Sequence, residues 1–176
     1  MSGAPDRSVR PAQRGDEAAI ASLQLRAWRS LMGDEALAAQ GVTQDVLARR
    51  WAATLAAPRP AGSAALVALH ANTIVGFALA GPDEEGGGAR EAPDAAGHGA
   101  ATQLYELVVD PDFRRAGHGS RLLAAVADTT SGQLRAWVAA QDEERQRFYA
   151  SAGFAPAGAA RTLGERTQHM WWAGRD

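Results

Sequence analysis

The chain has 176 residues, 46% hydrophobic and 22% charged, the balance of an ordinary globular domain long enough to bury a core. Its 18 Lys and Arg against 20 Asp and Glu leave a formal charge of -2, without the basic excess that a dedicated nucleic-acid binder carries. There is no cysteine, which excludes disulfides, thiolate metal sites and a cysteine nucleophile, and no stretch approaches the roughly 18 apolar residues of a membrane span.

Met1 to Arg10 is small and polar, without the apolar centre of a signal peptide, so a cytoplasmic location with no membrane partner is expected. Ser8 to Gln13 reads as a first strand, with Asp16 as the N-cap of a helix whose Ile20, Leu23, Ala27 and Leu31 share one face. Gly33 stops that helix. A second opens at Thr43, carries Leu47, Trp51 and Leu55, and is closed by Pro58 and Pro60. The apolar runs Ala64 to His70 and Ile74 to Ala80 flank Ala71-Asn72-Thr73, a hairpin in which Asn takes the turn conformation. Gly81 to Ala101 has no periodicity and reads as a long flexible loop inside one domain spanning 1–176. Gln103 to Asp110 is strand-like, Ser120 to Asp128 a short helix, Leu134 to Ala139 a strand, and Asp142 to Ala152 a helix stopped by Gly153. Phe154 to Thr162 and Thr167 to Ala173 close the chain as two strands, giving an α/β or α+β domain.

The segment that carries chemistry is Leu107-Val108-Val109-Asp110-Pro111-Asp112-Phe113-Arg114-Arg115-Ala116-Gly117-His118-Gly119-Ser120. A buried strand leads through a basic, glycine-bearing turn straight into a helix, whose first N–H groups lack carbonyl partners and attract anions. Gly117 and Gly119 let the backbone approach a pyrophosphate, and Arg114 and Arg115 add fork-like donors. Neither a Walker-type phosphate loop nor a Gly-x-Gly-x-x-Gly dinucleotide fingerprint is present. Gly-x-Gly alone is satisfied by a plain strand-to-helix turn; strand, Leu-x-Val-x-Pro, Arg-x-x-Gly-x-Gly and amphipathic helix in that order favour a phosphate cradle.

That ordered segment resembles the acyl-CoA-binding core of the GNAT superfamily of N-acetyltransferases. Ile74-Val75-Gly76-Phe77-Ala78 is similar to the family's third strand, and Phe148-Tyr149-x-x-x-Gly153-Phe154 to its later helix signature. The order of elements agrees from about Ser8 to Ala173. The resemblance implies a mixed, mostly antiparallel central sheet of about seven strands flanked by about four helices. It also implies acetyl-CoA as co-substrate, held between the strand ending at Val109 and the strand ending near Ala139. Arg114, Arg115, Ala116, Gly117, His118, Gly119 and Ser120 would hold the pyrophosphate, chiefly through main-chain N–H groups. Leu107, Val108 and Val109 would pair with the pantetheine arm, and the Val109 N–H would polarise the thioester carbonyl. A primary amine of a small molecule or peptide would then attack directly in a ternary complex, with Tyr149 as general acid toward the departing thiolate.

The base is less defined. The family's frequent glutamate aligns with Gln103, which cannot accept a proton, and Glu106 is the nearest replacement, acting directly or through water. A strand carboxylate facing solvent or paired with an arginine accounts for Glu106 equally well. Asp142 and Arg145 stand where the family often has Asn and Ala; Asp142 is a helix cap first, and touches the cofactor only as an acceptor. The rival reading is a non-catalytic acyl-CoA-binding sensor or scaffold module.

The histidines His70, His98, His118 and His169 are scattered, so no metal is expected, and the ring of His118 is read as facing solvent. Trp28 and Trp51 fit helix core positions. Trp171 and Trp172 cannot share one strand face, which leaves a homodimer contact through the last strand open. In the loop, Asp83, Glu84, Glu85, Glu91 and Asp94 outweigh Arg90; the segment either favours a cationic amine or is merely solvated.

Overall fold

The computed structural model describes residues 7–83, 101–130 and 132–174. Strand β1 (Arg7–Pro11) leads to helix α1 (Glu17–Met32). Asp16 occupies the N-cap position but makes no cap bond. Its carboxylate turns back instead to the Arg10 guanidinium at 2.7 and 2.9 Å and to the Gln13 N–H at 2.9 Å. The Arg10 hydrogen bond holds this acid below the usual carboxylate range. Gly33, at φ 81°, ends α1 as expected. A short helix not foreseen, α2 (Asp34–Ala39), precedes α3 (Gln44–Ala56), which Thr43 caps by accepting from the Val46 N–H.

Strands β2 (Ala64–His70) and β3 (Thr73–Pro82) form the hairpin, but the left-handed residue of its turn is Ala71, at φ 52°, rather than Asn72. The expected flexible loop lies, over 84–100, outside the described residues. Strand β4 (Thr102–Val109) passes through a 3-10 turn (Pro111–Phe113) to helix α4 (His118–Thr129), which opens two residues earlier than its hydrophobic face suggested. Then come β5 (Leu134–Ala139), α5 (Glu143–Ser151), β6 (Ala155–Leu163) and β7 (Arg166–Ala173). The α-helices number five among the described residues, in keeping with the expected seven-stranded sheet flanked by about four helices.

All seven strands join one sheet in the order β1-β2-β3-β4-β5-β7-β6. Every pairing is antiparallel except β4 with β5. Side chains alternate across β2 and β3, so each strand feeds two cores. Ala64, Ala68, Ala78 and Ala80 face α4, where small residues let the helix approach. Val67 and Phe77 face α1 and α3, where Trp51 meets Phe77 edge-on with ring centroids 5.4 Å apart. Strand β7 lies between β5 and β6, so its backbone has no open edge, and Trp171 and Trp172 are both half-buried.

Two irregularities in β4 decide where a site can form. Leu79 pairs with Glu106 and Ala80 with Leu104, leaving Tyr105 as an extra, exposed residue. This bulge resets the alternation: Leu104 and Leu107 join the α4 core, while Val108 packs on the α1 side and Glu106 reaches Gln24 of α1. The second irregularity is a split. β4 and β5 pair only from Thr102–Leu134 to Leu104–Ala136, so beyond Leu104 the strands part.

Candidate active site

The split opens into a cleft of about 410 Å³ whose wall includes Leu107, Val109, Arg115, Gly119, Arg145 and Tyr149. The β4 backbone at this point is oriented by the ladder itself. The Asp110 N–H donates to the Val75 carbonyl at 2.8 Å, which makes that pair hydrogen-bonded. Antiparallel pairs alternate, so Leu107 and Val109 turn their N–H and C=O groups away from β3 and toward the split. The Leu107 carbonyl accepts from Arg145 Nη1 across the gap at 3.2 Å. Thus Leu107 and Val109 present main-chain groups to the cleft, whereas those of Val108, expected beside them, turn to β3.

The turn between Asp110 and α4 curls through two left-handed residues, Arg115 at φ 59° and Gly117 at φ 81°. Arg115 carries a Cβ, so that backbone costs about 1 kcal/mol and marks a constrained loop. The Ala116 carbonyl is tied by Arg7 at 3.0 Å and Arg121 at 3.4 Å. Gly119 packs against the Phe148 ring of α5 beside the cleft, an added Cβ lying 3.4 Å from it, in ordinary contact. The first N–H groups of α4 have no carbonyl partner within the helix and lie along the cleft. Of the lining arginines, Arg26 pairs with Asp110 at 2.7 Å, Arg114 with Glu144 at 3.7 Å and Arg145 with Asp142 at 3.4 Å. Arg115 has no carboxylate partner among the described residues. Together these features form a cationic, N–H-rich rim suited to a phosphate-bearing ligand.

His118 departs from the expectation of a solvent-facing ring. It is 1% exposed, packed 5.6 Å from His70 and 6.5 Å from Phe113 between ring centroids. Neither of its ring nitrogens has a hydrogen-bond partner among the described residues, and burial, reinforced by His70, Arg7 and Arg121, pushes its pKa below the ordinary value. Its side chain supports the loop from beneath.

Tyr149 is 2% exposed, held between Phe148 at 5.3 Å and Phe154 at 5.0 Å, and it borders the cleft. Burial raises its pKa, with Arg145 opposing the rise, so the phenol is protonated at neutral pH. Asp142 caps α5 by accepting from the Arg145 N–H at 3.0 Å and also lines the cleft.

Glu106 is neither solvent-facing nor simply arginine-paired. It stands behind the cleft wall on the α1 side, where Gln24 Nε2 donates to its Oε1 at 2.5 Å and Trp51 Nε1 donates to Gln24 Oε1 at 2.8 Å. The Trp28 indole lies close by without completing a hydrogen bond to its Oε2. Burial raises its pKa to about 7, against the opposing pull of Gln24, Trp28 and the Arg145 charge. Gln103, by contrast, is buried at the paired end of β4, opposite Arg135, and does not border the cleft. Sequence reasoning missed Gln24 and Arg145 as site residues. Arg145 stood in plain view at a position where the resemblance led one to expect a small side chain; nothing in the sequence marked Gln24.

Residues 61–156, more than half of the chain, match a family model described as acetyltransferase (GNAT) domain. The chain is 45% identical over 49 residues to a mycothiol acetyltransferase of Streptosporangium roseum, a match covering 28% of this chain and 14% of that relative. Among solved structures, a ribosomal-protein-alanine N-acetyltransferase from Brucella melitensis superposes with a TM-score of 0.69 at 20% identity, covering 96% of this chain and 99% of that one. The PaiA N-acetyltransferase of Thermoplasma acidophilum, solved with coenzyme A, gives 0.61 at 15% identity over 97% and 99%. At these identities the structural likeness concerns the fold. No helix among the described residues is long and apolar enough to cross a membrane.

Proposed function

Since the chain belongs to the acetyltransferase (GNAT) family, we propose that it moves an acetyl group from acetyl-CoA to a primary amine of a small molecule or peptide. The observation that carries this reading is the split edge of β4, whose Leu107 and Val109 main-chain groups face a cleft rimmed by Arg115 and the first turn of α4. An acyl-CoA fits that donor set: an anionic end for the rim and an amide-bearing arm for the open strand. Arg114, Arg115 and the N–H groups through Ser120 would hold its pyrophosphate, and the main chain of Leu107 and Val109 its arm. When bound, acetyl-CoA supplies an acetyl group activated as a thioester.

The protein's own residues then have three tasks. The Val109 N–H donates to the oxygen on which negative charge develops, a donor fixed in place by the β-ladder. Tyr149 supplies a proton to the departing sulfur, its phenol being protonated at neutral pH. Glu106 takes the proton of the attacking ammonium. With a pKa of about 7 rather than 4.5, the gap to a lysine-like amine near 10.4 shrinks from about 6 units to about 3. Because Glu106 lies behind the wall, a water molecule relays that proton.

The test is thiol release from acetyl-CoA across a panel of amines, run beside calorimetric titration with the cofactor. Tyr149→Phe should lower kcat by about 10²–10⁴ while the cofactor Kd holds. Unchanged turnover overturns the Tyr149 assignment. Tight cofactor binding with no thiol release for any amine replaces the enzyme reading with a non-catalytic acyl-CoA sensor.

A further inference from the structure

We propose that Arg145 is a positioning residue for this reaction: from the split between β4 and β5, its guanidinium helps to set the proton held by Glu106 on one face of the sheet and by Tyr149 on the other. The inference rests on the acetyl-transfer reading for its purpose, but its geometry is independent of it.

A continuous sheet would separate these two groups. Gln24 of α1 holds Glu106 on one side, whereas Tyr149 belongs to the core on the α4 side. Where β4 and β5 part, one side chain can lie between the two faces. Arg145 projects there: Nη1 donates to the Leu107 carbonyl at 3.2 Å, one residue from Glu106, and Nε pairs with Asp142 at 3.4 Å. Arg145 and Tyr149 are four residues apart on α5 and so share a helix face. The guanidinium is about one-third exposed, on the cleft wall, so its charge is only partly screened by solvent.

The groups facing Glu106 are Gln24 and Trp28 from α1 and Arg145 from α5; Leu79 is its partner on β3. Those facing Tyr149 are Arg145, Asp142 and the rings of Phe148 and Phe154. Arg145 is thus the cation common to both sets, and it favours the ionised form of each. A base must give up its proton before it can act, and a buried phenol must be able to release one. One charge assists both demands.

The experiment is a carbon-13 NMR titration of the glutamate carboxyls in the full chain, with Glu106 assigned by the signal lost in Glu106→Gln. Arg145→Gln keeps a donor for the Leu107 carbonyl while removing the charge, and Arg145→Lys restores the charge. The Glu106 midpoint should rise measurably in Arg145→Gln and return in Arg145→Lys. The acid limb of kcat/KM should move in the same direction and by a similar amount. An unmoved Glu106 midpoint in Arg145→Gln overturns the proposal, whatever the activity. A midpoint that moves while the acid limb stays also overturns it, because the charge then has no part in the reaction. A midpoint that moves in a protein that acetylates no amine instead counts against the acetyl-transfer reading and leaves the electrostatic link standing.

Discussion

Glu106 and His118 are both ionisable groups taken out of water near one cleft, and their surroundings differ in kind. Around Glu106 the protein provides a donor, Gln24, itself fixed by Trp51, and a nearby cation, Arg145. Among the described residues His118 has no hydrogen-bond partner on either nitrogen, and it faces His70, Phe113 and the positive charges of Arg7 and Arg121. Burial opposes the charge in both cases. At Glu106, polar neighbours return part of what burial takes, leaving a pKa of about 7, where a proton comes and goes at neutral pH. At His118, the neighbouring positive charges add to the effect of burial, and the ring is kept neutral. On the proposed function, the difference separates a group placed to exchange a proton from one placed to fill space under a loop.

The largest effect that can break this comparison is Glu106→Gln. If Glu106 takes the amine proton, kcat/KM falls by about 10²–10⁴ while the calorimetric Kd for acetyl-CoA holds. Stability should respond in the opposite sense. A carboxyl whose folded pKa lies above 4.5 favours folding fully below that pH and loses the benefit as pH rises to about 7. Glu106→Gln should therefore gain stability relative to the parent between pH 4.5 and pH 8, by up to about 3 kcal/mol, as read from urea unfolding at both pH values. Activity that survives the substitution means that the raised pKa at Glu106 is only a cost of burial.

Gln24→Leu sharpens the comparison by making the surroundings of Glu106 more like those of His118. With its hydrogen-bond donor gone, Glu106 becomes harder to ionise, so the acid limb of kcat/KM moves to higher pH and activity at pH 7 drops by roughly tenfold. The Trp51 N–H also loses its acceptor in a buried place, a loss of about 1–3 kcal/mol in thermal or urea unfolding. An acid limb that stays in place would show that burial alone sets the Glu106 proton.

How much of this was legible in the sequence follows the range of each interaction. The stops and caps at Gly33, Thr43, Asp142 and Gly153 act within a few residues, and they appear where the sequence put them. The run from Leu107 to Ser120 was legible for the same reason: strand, turn and helix are consecutive. Helix α2, with six residues, is too short for its periodicity to stand out. Asp16 sits at the N-cap as expected, but its carboxylate turns to Arg10 of β1, a partner that the local sequence does not mark. The environment of Glu106 depends on Gln24, 82 residues earlier, and on a bulge at Tyr105 that no turn residue announces. His118 met the same fate: its burial depends on His70 from β2, so sequence neighbours made the ring look exposed. Arg145 was noticed as a departure from the resembled pattern, but its reach into the split depends on where β4 and β5 stop pairing.

The smallest effect tests the His118 side of the comparison. Its folded pKa lies below the ordinary histidine value of about 6.5, so the unfolded chain binds the proton more readily. Its neutral ring therefore favours folding above pH 6.5, and stability is lost as pH falls from there toward the folded pKa. His118→Phe keeps a ring of similar size among His70 and Phe113 and removes the proton. The variant should show a flatter fall in Tm between pH 7 and pH 5 than the parent, by a few degrees at most for a chain of this size. A fall of equal steepness in both proteins would mean that His118 charges without penalty, and the contrast with Glu106 would then rest on Glu106 alone.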